Sequence, residues 1–176
     1  MDSTVRLDVR YATANNFMGA VMYESPRVFL QRPVAEALLD AHRQLKEKGY
    51  GIVIFDGYRP WYVTKIFWDA TPEDKKEFVA DPDSGSRHNR GAAVDLSLYD
   101  LSSGELLPVP SEYDETTERS GIDFAGGDQQ STANRDLLIS TMRMHGFEPL
   151  ANEWWHYDHI SWRSYPIMNS SFDEIN

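Results

Sequence analysis

Ser86-Arg87-His88-Asn89-Arg90-Gly91-Ala92-Ala93-Val94-Asp95-Leu96-Ser97-Leu98 reads as a polar loop that turns at Gly91 and runs on as a strand. Ala92, Val94, Leu96 and Leu98 share one face of that strand, and Ala93, Asp95, Ser97 and Tyr99 share the other. A strand that buries the first set aims one acid, flanked by small residues, away from the core. His88 lies just upstream, where the loop can fold back towards Asp95. A histidine and an aspartate brought together from a loop and a strand form either a metal site or a hydrogen-bonded pair, and the rest of the chain has to decide which.

Composition narrows the choice. At 176 residues the chain fits one domain, 1–176, with a substantial core. Hydrophobic residues make up 41%, and no apolar run approaches the length of a membrane span. The formal net charge of −11 argues against nucleic acid or an anionic membrane surface as partner, but not against a small zwitterion. There is no cysteine, which excludes disulfides, a thiol nucleophile and thiolate ligands together. A metal would have to be held by histidine and carboxylate, a set that suits zinc in a hydrolytic site. No basic-then-apolar signal opens the sequence. The expected location is the cytoplasm, with the periplasm as the alternative if an export signal precedes residue 1. Nothing in the pattern specifies an oligomeric state.

Along the chain, residues 4–11 alternate as a half-buried strand. Pro33 opens a helix with Val34, Ala37, Leu38, Ala41 and Leu45 at helical spacing, and Gly49 suits its exit. His42 lies off that apolar row and is expected at the surface. Gly51-Ile52-Val53-Ile54-Phe55-Asp56 is a continuous apolar run, hence a central strand covered on both faces. It ends in Gly57-Tyr58-Arg59-Pro60, which fixes Arg59 at the end of a buried strand, as a functional cation or as a partner for a nearby acid. A helix is predicted from Trp61 to Trp68, a helix start at Thr71-Pro72, a short return strand at Leu106–Val109, and a polar loop over 110–131. A second long helix follows Ser131 and stops at Gly146.

Glu153-Trp154-Trp155-His156-Tyr157-Asp158-His159-Ile160 reads as an aromatic strand. In a regular strand Glu153 and His156 face opposite ways, because three is an odd offset. They can serve one site if Glu153 stands at a bend or bulge. A hydrolytic zinc site needs three protein ligands, an open fourth position and a carboxylate that does not bind the metal. His88, Asp95 and His156 supply the ligands, and Glu153 supplies the base. His159, on the opposite strand face from His156, is expected outside the ligand set.

Ser86-x-His88-x6-Asp95 with a downstream Glu153-x-x-His156 resembles the zinc signature of VanX-type D-alanyl-D-alanine dipeptidases, members of the zinc D,D-peptidases. Arg10-Tyr11-Ala12-Thr13, Asn16-Phe17-x-Gly19, Asp56-Gly57-Tyr58-Arg59-Pro60, Glu118-Arg119-Ser120, Tyr165-Pro166 and Phe172-Asp173 resemble that family's landmarks in the same order. The resemblance implies an α+β domain of the zinc D,D-peptidase or hedgehog-like fold, a mainly antiparallel sheet with packed helices. It implies one zinc ion per chain on His88, Asp95 and His156, with Glu153 as general base and acid. Arg59 matches the arginine that stabilises the oxyanion, where losing a donor costs about 2.7–4 kcal/mol. Asp114 and Tyr11 match residues at the substrate's amino end, and Ser86 a substrate-side serine. The segment between Arg59 and His88 is shorter than in the resistance enzymes, and Ser111-Glu112-Tyr113-Asp114 lacks the glycine often found before the matching acid. Both departures bear on substrate size rather than on the metal site.

The expected function is hydrolysis of D-alanyl-D-alanine or a similar D,D-dipeptide. The alternatives are a D,D- or L,D-carboxypeptidase or endopeptidase acting on cell-wall peptides, and a non-catalytic zinc-stabilised binding domain. Asp114, capping the amino end, disfavours the former. Glu153, a base with no structural use, disfavours the latter.

Overall fold

The computed structural model describes residues 2–175. Its strands are β1 (Arg6–Leu7), β2 (Tyr50–Asp56), β3 (Ala93–Asp100), β4 (Phe147–Leu150) and β5 (Glu153–His159), joined in one sheet of order β1-β2-β3-β5-β4. β1 runs parallel to β2, and every other pair is antiparallel. This is the mainly antiparallel α+β architecture expected, with helices α1 (Arg32–Glu47), α2 (Trp61–Ala70) and α3 (Gln129–Met144).

Strand alternation separates two buried environments. Val94, Leu96 and Leu98 of β3 and Ile52 and Ile54 of β2 pack with Val34, Leu38, Ala41 and Leu45 of α1 and with Leu138 and Met142 of α3. The helical face of the sheet therefore follows directly from the apolar spacing of α1. The opposite face is covered as well. Val53 and Phe55 pack there with Tyr99, and Tyr11, Tyr58, Phe67 and Phe172 form a second cluster from the N-terminal segment, α2 and the C-terminal segment. Asp95 is thus buried rather than directed to solvent, because loops and α2 roof the face that alternation alone assigns to water.

Other expectations are corrected by tertiary context. The strand over 4–11 shrinks to Arg6–Leu7, followed by a 3-10 turn at Arg10–Ala12 that buries Tyr11. Leu106–Val109 makes only an isolated bridge, Leu106 to Tyr99. α3 begins two residues before Ser131, where the Asp128 carboxylate caps it by accepting from the Ser131 N–H. His42 is fully buried, not at the surface. Its Nδ1 accepts from the Ile52 N–H (3.3 Å), so Nε2 carries the proton and donates to Thr4 Oγ1 (2.8 Å). It ties α1 to β2 and to the N-terminal segment.

One cross-strand pair is tightly specified. Gly51 of β2 faces Tyr99 of β3, whose ring lies where a side chain on residue 51 would stand: a Cβ there would come within 2.2 Å of Tyr99 Cε1. The Tyr99 hydroxyl donates to the Thr4 carbonyl (2.7 Å) and Arg6 stacks on its ring (3.7 Å), so the ring is held from the far side. Gly51→Ala is expected to destabilise by about 1–3 kcal/mol through overpacking. Thermal unfolding would read this as a drop of roughly 2–4 °C per kcal/mol, and an unchanged Tm would contradict it.

Candidate active site and metal centre

Three neighbouring strands place the site in one row. Asp95 of β3 pairs with Asp56 of β2 on one side and with His156 of β5 on the other. A bulge puts two β2 residues, Phe55 and Asp56, against one on β3, which turns Asp56 into the row. A second irregularity, where the β4 partners step from Pro149 to Leu150 while those on β5 step from Tyr157 to Glu153, brings Glu153 to the face of His156. The two carboxylate and imidazole groups come within 3.9 Å (Glu153 Oε2 to His156 Nδ1), as the bulge argument required.

His88 arrives from a 3-10 turn, His88–Arg90, closed by Gly91 in the left-handed region (φ 61°). The Ser86 Oγ accepts from the His88 N–H (3.1 Å), and Asn89 donates to the Arg59 carbonyl (2.9 Å) and to Thr64 (2.8 Å), which locks the turn onto α2 and the end of β2.

The resulting donor triangle is nearly regular. His88 Nε2, His156 Nδ1 and Asp95 Oδ1 are separated by 3.1, 3.1 and 3.2 Å, and all three residues are buried. The outer atoms settle what the inner atoms offer. The Gly57 carbonyl can only accept, so His88 Nδ1 is the protonated nitrogen (2.7 Å). His156 Nε2 donates to Asp158 Oδ1 (2.9 Å), and the Tyr113 hydroxyl donates to Asp95 Oδ2 (3.0 Å). Two imidazole lone pairs and one carboxylate oxygen therefore converge on a point, an arrangement that calls for a cation. A tetrahedral ion bound at about 2.0–2.1 Å separates its ligand atoms by about 3.3 Å, close to the edges observed. Residues His88, Asp95 and His156 can hold a metal ion.

The electrostatics agree. Burial disfavours a charged His156, yet its hydrogen bonds to Asp158 and Asp95 outweigh burial and hold its pKa up at about 10. The site thus favours positive charge at this point. Burial likewise works against an ionised Asp95, but His88 and His156 keep its carboxyl well below the usual range. Burial pushes Glu153 up, with His156 opposing, which moves a carboxylate towards the pH at which a general base works. Its carboxylate has no hydrogen-bond partner among the described residues.

Arg59 donates through Nε and Nη2 to Asp56 Oδ2 (3.1 and 2.8 Å), while Tyr23 and the Gly57 N–H donate to Oδ1 (2.8 and 2.9 Å). Burial opposes the charge on Arg59, and Asp56 more than restores it. At the other end, the Tyr11 hydroxyl donates to both oxygens of Asp114 (3.2 and 3.1 Å). Asp114 is a non-glycine residue in the left-handed region (φ 62°), a conformation that aspartate tolerates better than most. Burial and the nearby Asp95 push its pKa up to about 7, against the pull of Arg59.

A cavity of about 600 Å³ collects His88, Asp95, His156, Glu153, Arg59, Asp114, Tyr11 and Ser86 along one wall or another. His159 stays outside: its ring packs on Phe147 and its Nδ1 meets Ser161. Three supporting residues escape a reading of the sequence. Asp158 had a signal, since it is two residues from His156 and so on the same strand face. Asp56 sat inside a quoted motif, with its purpose hidden until the bulge was seen. Tyr113 had none, because the loop that carries it has no period.

Residues 1–174 match the Peptidase_M15 family, D-ala-D-ala dipeptidase. The chain belongs to this family. Relatives bear this out: a D-alanyl-D-alanine dipeptidase of Enterococcus faecium is 38% identical over 96% of this chain and 91% of its own. One of Escherichia coli (strain K12) is 32% identical over 96% of this chain and 86% of its own. Among solved structures, the LD-carboxypeptidase LdcB superposes with a TM-score of 0.51 at 22% identity, covering 77% of this chain and 61% of that one, a likeness of fold. This M15 peptidase is an enzyme, and its His88–Asp95–His156 triangle, which can hold a metal ion, is braced from behind by Gly57, Asp158 and Tyr113.

That bracing predicts a measurable effect. Burial, with Asp114 and Asp95 adding, keeps the Tyr113 hydroxyl protonated and donating. Tyr113→Phe removes the bond that restricts Asp95 to one inward oxygen, and metal affinity is expected to fall about 10–100-fold. Competition with a chelator checks it; equal affinity in the two proteins would show that the bond does not orient Asp95.

Proposed function

We propose that the chain is one catalytic domain that hydrolyses D-alanyl-D-alanine, or a closely similar D,D-dipeptide, with one zinc ion on His88, Asp95 and His156. What carries this reading is Glu153: a half-buried carboxylate facing the cavity, without a hydrogen-bond partner among the described residues, 3.9 Å from a ligand nitrogen and outside the ligand set. A purely structural metal site has no use for it. Membership of the dipeptidase family supports the same conclusion.

Zinc bound there supplies Lewis acidity, which lowers the pKa of a water to about 7 and polarises the scissile carbonyl. The remaining work falls to the chain. Glu153 takes the proton of the attacking water on its carboxylate and returns it to the leaving amine. Arg59, held by Asp56, faces the negative charge that grows on the carbonyl oxygen without having to reorganise. Asp114, braced by Tyr11, takes the ammonium end, and Ser86 lines the substrate wall. Arg59 and Ser86 are buried and Glu153 and Asp114 half-buried, which limits solvent screening and strengthens each charge interaction.

Zinc-loaded protein is expected to release D-alanine from D-alanyl-D-alanine. Release only from longer wall peptides would overturn the dipeptidase reading. Glu153→Ala is expected to keep its zinc and lose at least about 100-fold in kcat, the lower range for a general base. His156→Ala is expected to lose the metal itself. Metal content and rate, measured side by side on both variants, separate the two roles, and a Glu153→Ala protein working at the parental rate would refute the mechanism.

A further inference from the structure

A dipeptide has two charged ends, and the residues above answer only one of them. Asp114 meets the ammonium, while the carboxylate of the second residue still needs a cation inside an acidic protein. Arg59 is committed to Asp56 and to the oxyanion. Two further cations line the cavity, Arg87 and Lys75.

We propose that Arg87 binds the free α-carboxylate of the substrate's second residue, an inference that rests on the dipeptidase reading. Its guanidinium is prepared for this. Nε lies 3.3 Å from Asp158 Oδ2 but makes no hydrogen bond, and the plane stacks over Trp162 at 4.7 Å. Held at one edge and on one face, the group leaves its Nη edge for a planar anion, the fork that matches a carboxylate. Arg90 and Arg163 approach the same Trp162 ring (5.4 and 4.2 Å), which gathers three positive charges on a chain whose net charge is −11.

Position favours Arg87 over Lys75. The scissile carbonyl and the terminal carboxylate are one residue apart, about 3.5 Å of chain, so the cation must stand beside the metal ligands. Arg87 lies between Ser86 and the ligand His88, and its partner Asp158 touches the ligand His156. Lys75 belongs to an exposed 3-10 segment, Glu73–Phe78. Direction fits too. Asp114 is bonded by Tyr11, whose ring lies 5.2 Å from Arg59, and Arg59 is tied to Asp56 of β2, whereas Arg87 lies against Asp158 of β5, and β2 and β5 flank β3 on opposite sides. The two charge partners thus straddle Asp95, as the two ends of a dipeptide straddle its peptide bond.

The test compares zinc-loaded wild type, R87M, R87K and K75M on D-alanyl-D-alanine and on D-alanyl-D-alaninamide, which lacks the negative charge. Wild type is expected to prefer the free acid in kcat/KM by at least about 10-fold, the lower range for a charge-assisted pair. In R87M the preference should fall towards one, in R87K to an intermediate value, and in K75M it should persist. Equal slowing of both substrates in R87M would mean that Arg87 acts through Asp158 and would overturn the inference alone, as would loss of the preference in K75M. Failure of wild type on both substrates would overturn the hydrolytic reading beneath it.

Discussion

A carboxylate in the middle strand of a sheet is costly, and Asp95 is one that is only 3% exposed. Its surroundings are organised to compensate that charge. One oxygen accepts from Tyr113, the other faces two imidazoles, and each imidazole is oriented from behind by an acceptor of its own. Removing any of these partners leaves a buried charge incompletely paired, which costs more than the pair is worth when intact. The interior of this face is therefore polar by necessity, and the aromatic clusters around it serve to close it off.

Much of this was legible in the chain. The helical spacing from Val34 to Leu45 fixed α1 and, with it, which face of β3 it covers. The unbroken run from Gly51 to Asp56 marked a strand without a solvent face. His88, Asp95, His156 and Glu153 were readable because a hydrolytic zinc site needs a definite kind and number of side chains, so two incomplete segments could be matched to each other. What stayed hidden has a common cause. Asp56 enters the row only through a bulge, Tyr113 comes from an aperiodic loop, and His42 is buried by contacts with residues 4 and 52. None of these is a property of a local window; each is made by parts of the chain that meet only after folding.

The strands and the loops divide the work. Asp56, Asp95 and His156 stand on the sheet, where pairing fixes their spacing, and the bulges tune which face each presents. Arg59, Ser86, Arg87 and His88 come from turns locked to that frame by Asn89 and the Gly57 carbonyl. Asp114 comes from the long polar loop. The groups proposed to handle the bond under attack stand on the sheet or on turns tied to it, and Asp114, proposed to meet the ammonium, sits on a loop, where variation costs the fold least.

Asp114 has a further consequence. Burial and Asp95 push its pKa up to about 7, so near neutrality its protonation responds to what docks beside it. An ammonium group docked beside it, as proposed, favours the ionised form and expels a bound proton to solvent. Capture of a free-amine substrate is then linked to acid release, and it tightens as the pH rises through the neutral range. A neutral amino end finds no such reward. The same carboxyl that marks the end of the cavity thereby makes ligand capture a proton-exchange reaction, with a heat that depends on the buffer that takes up the proton.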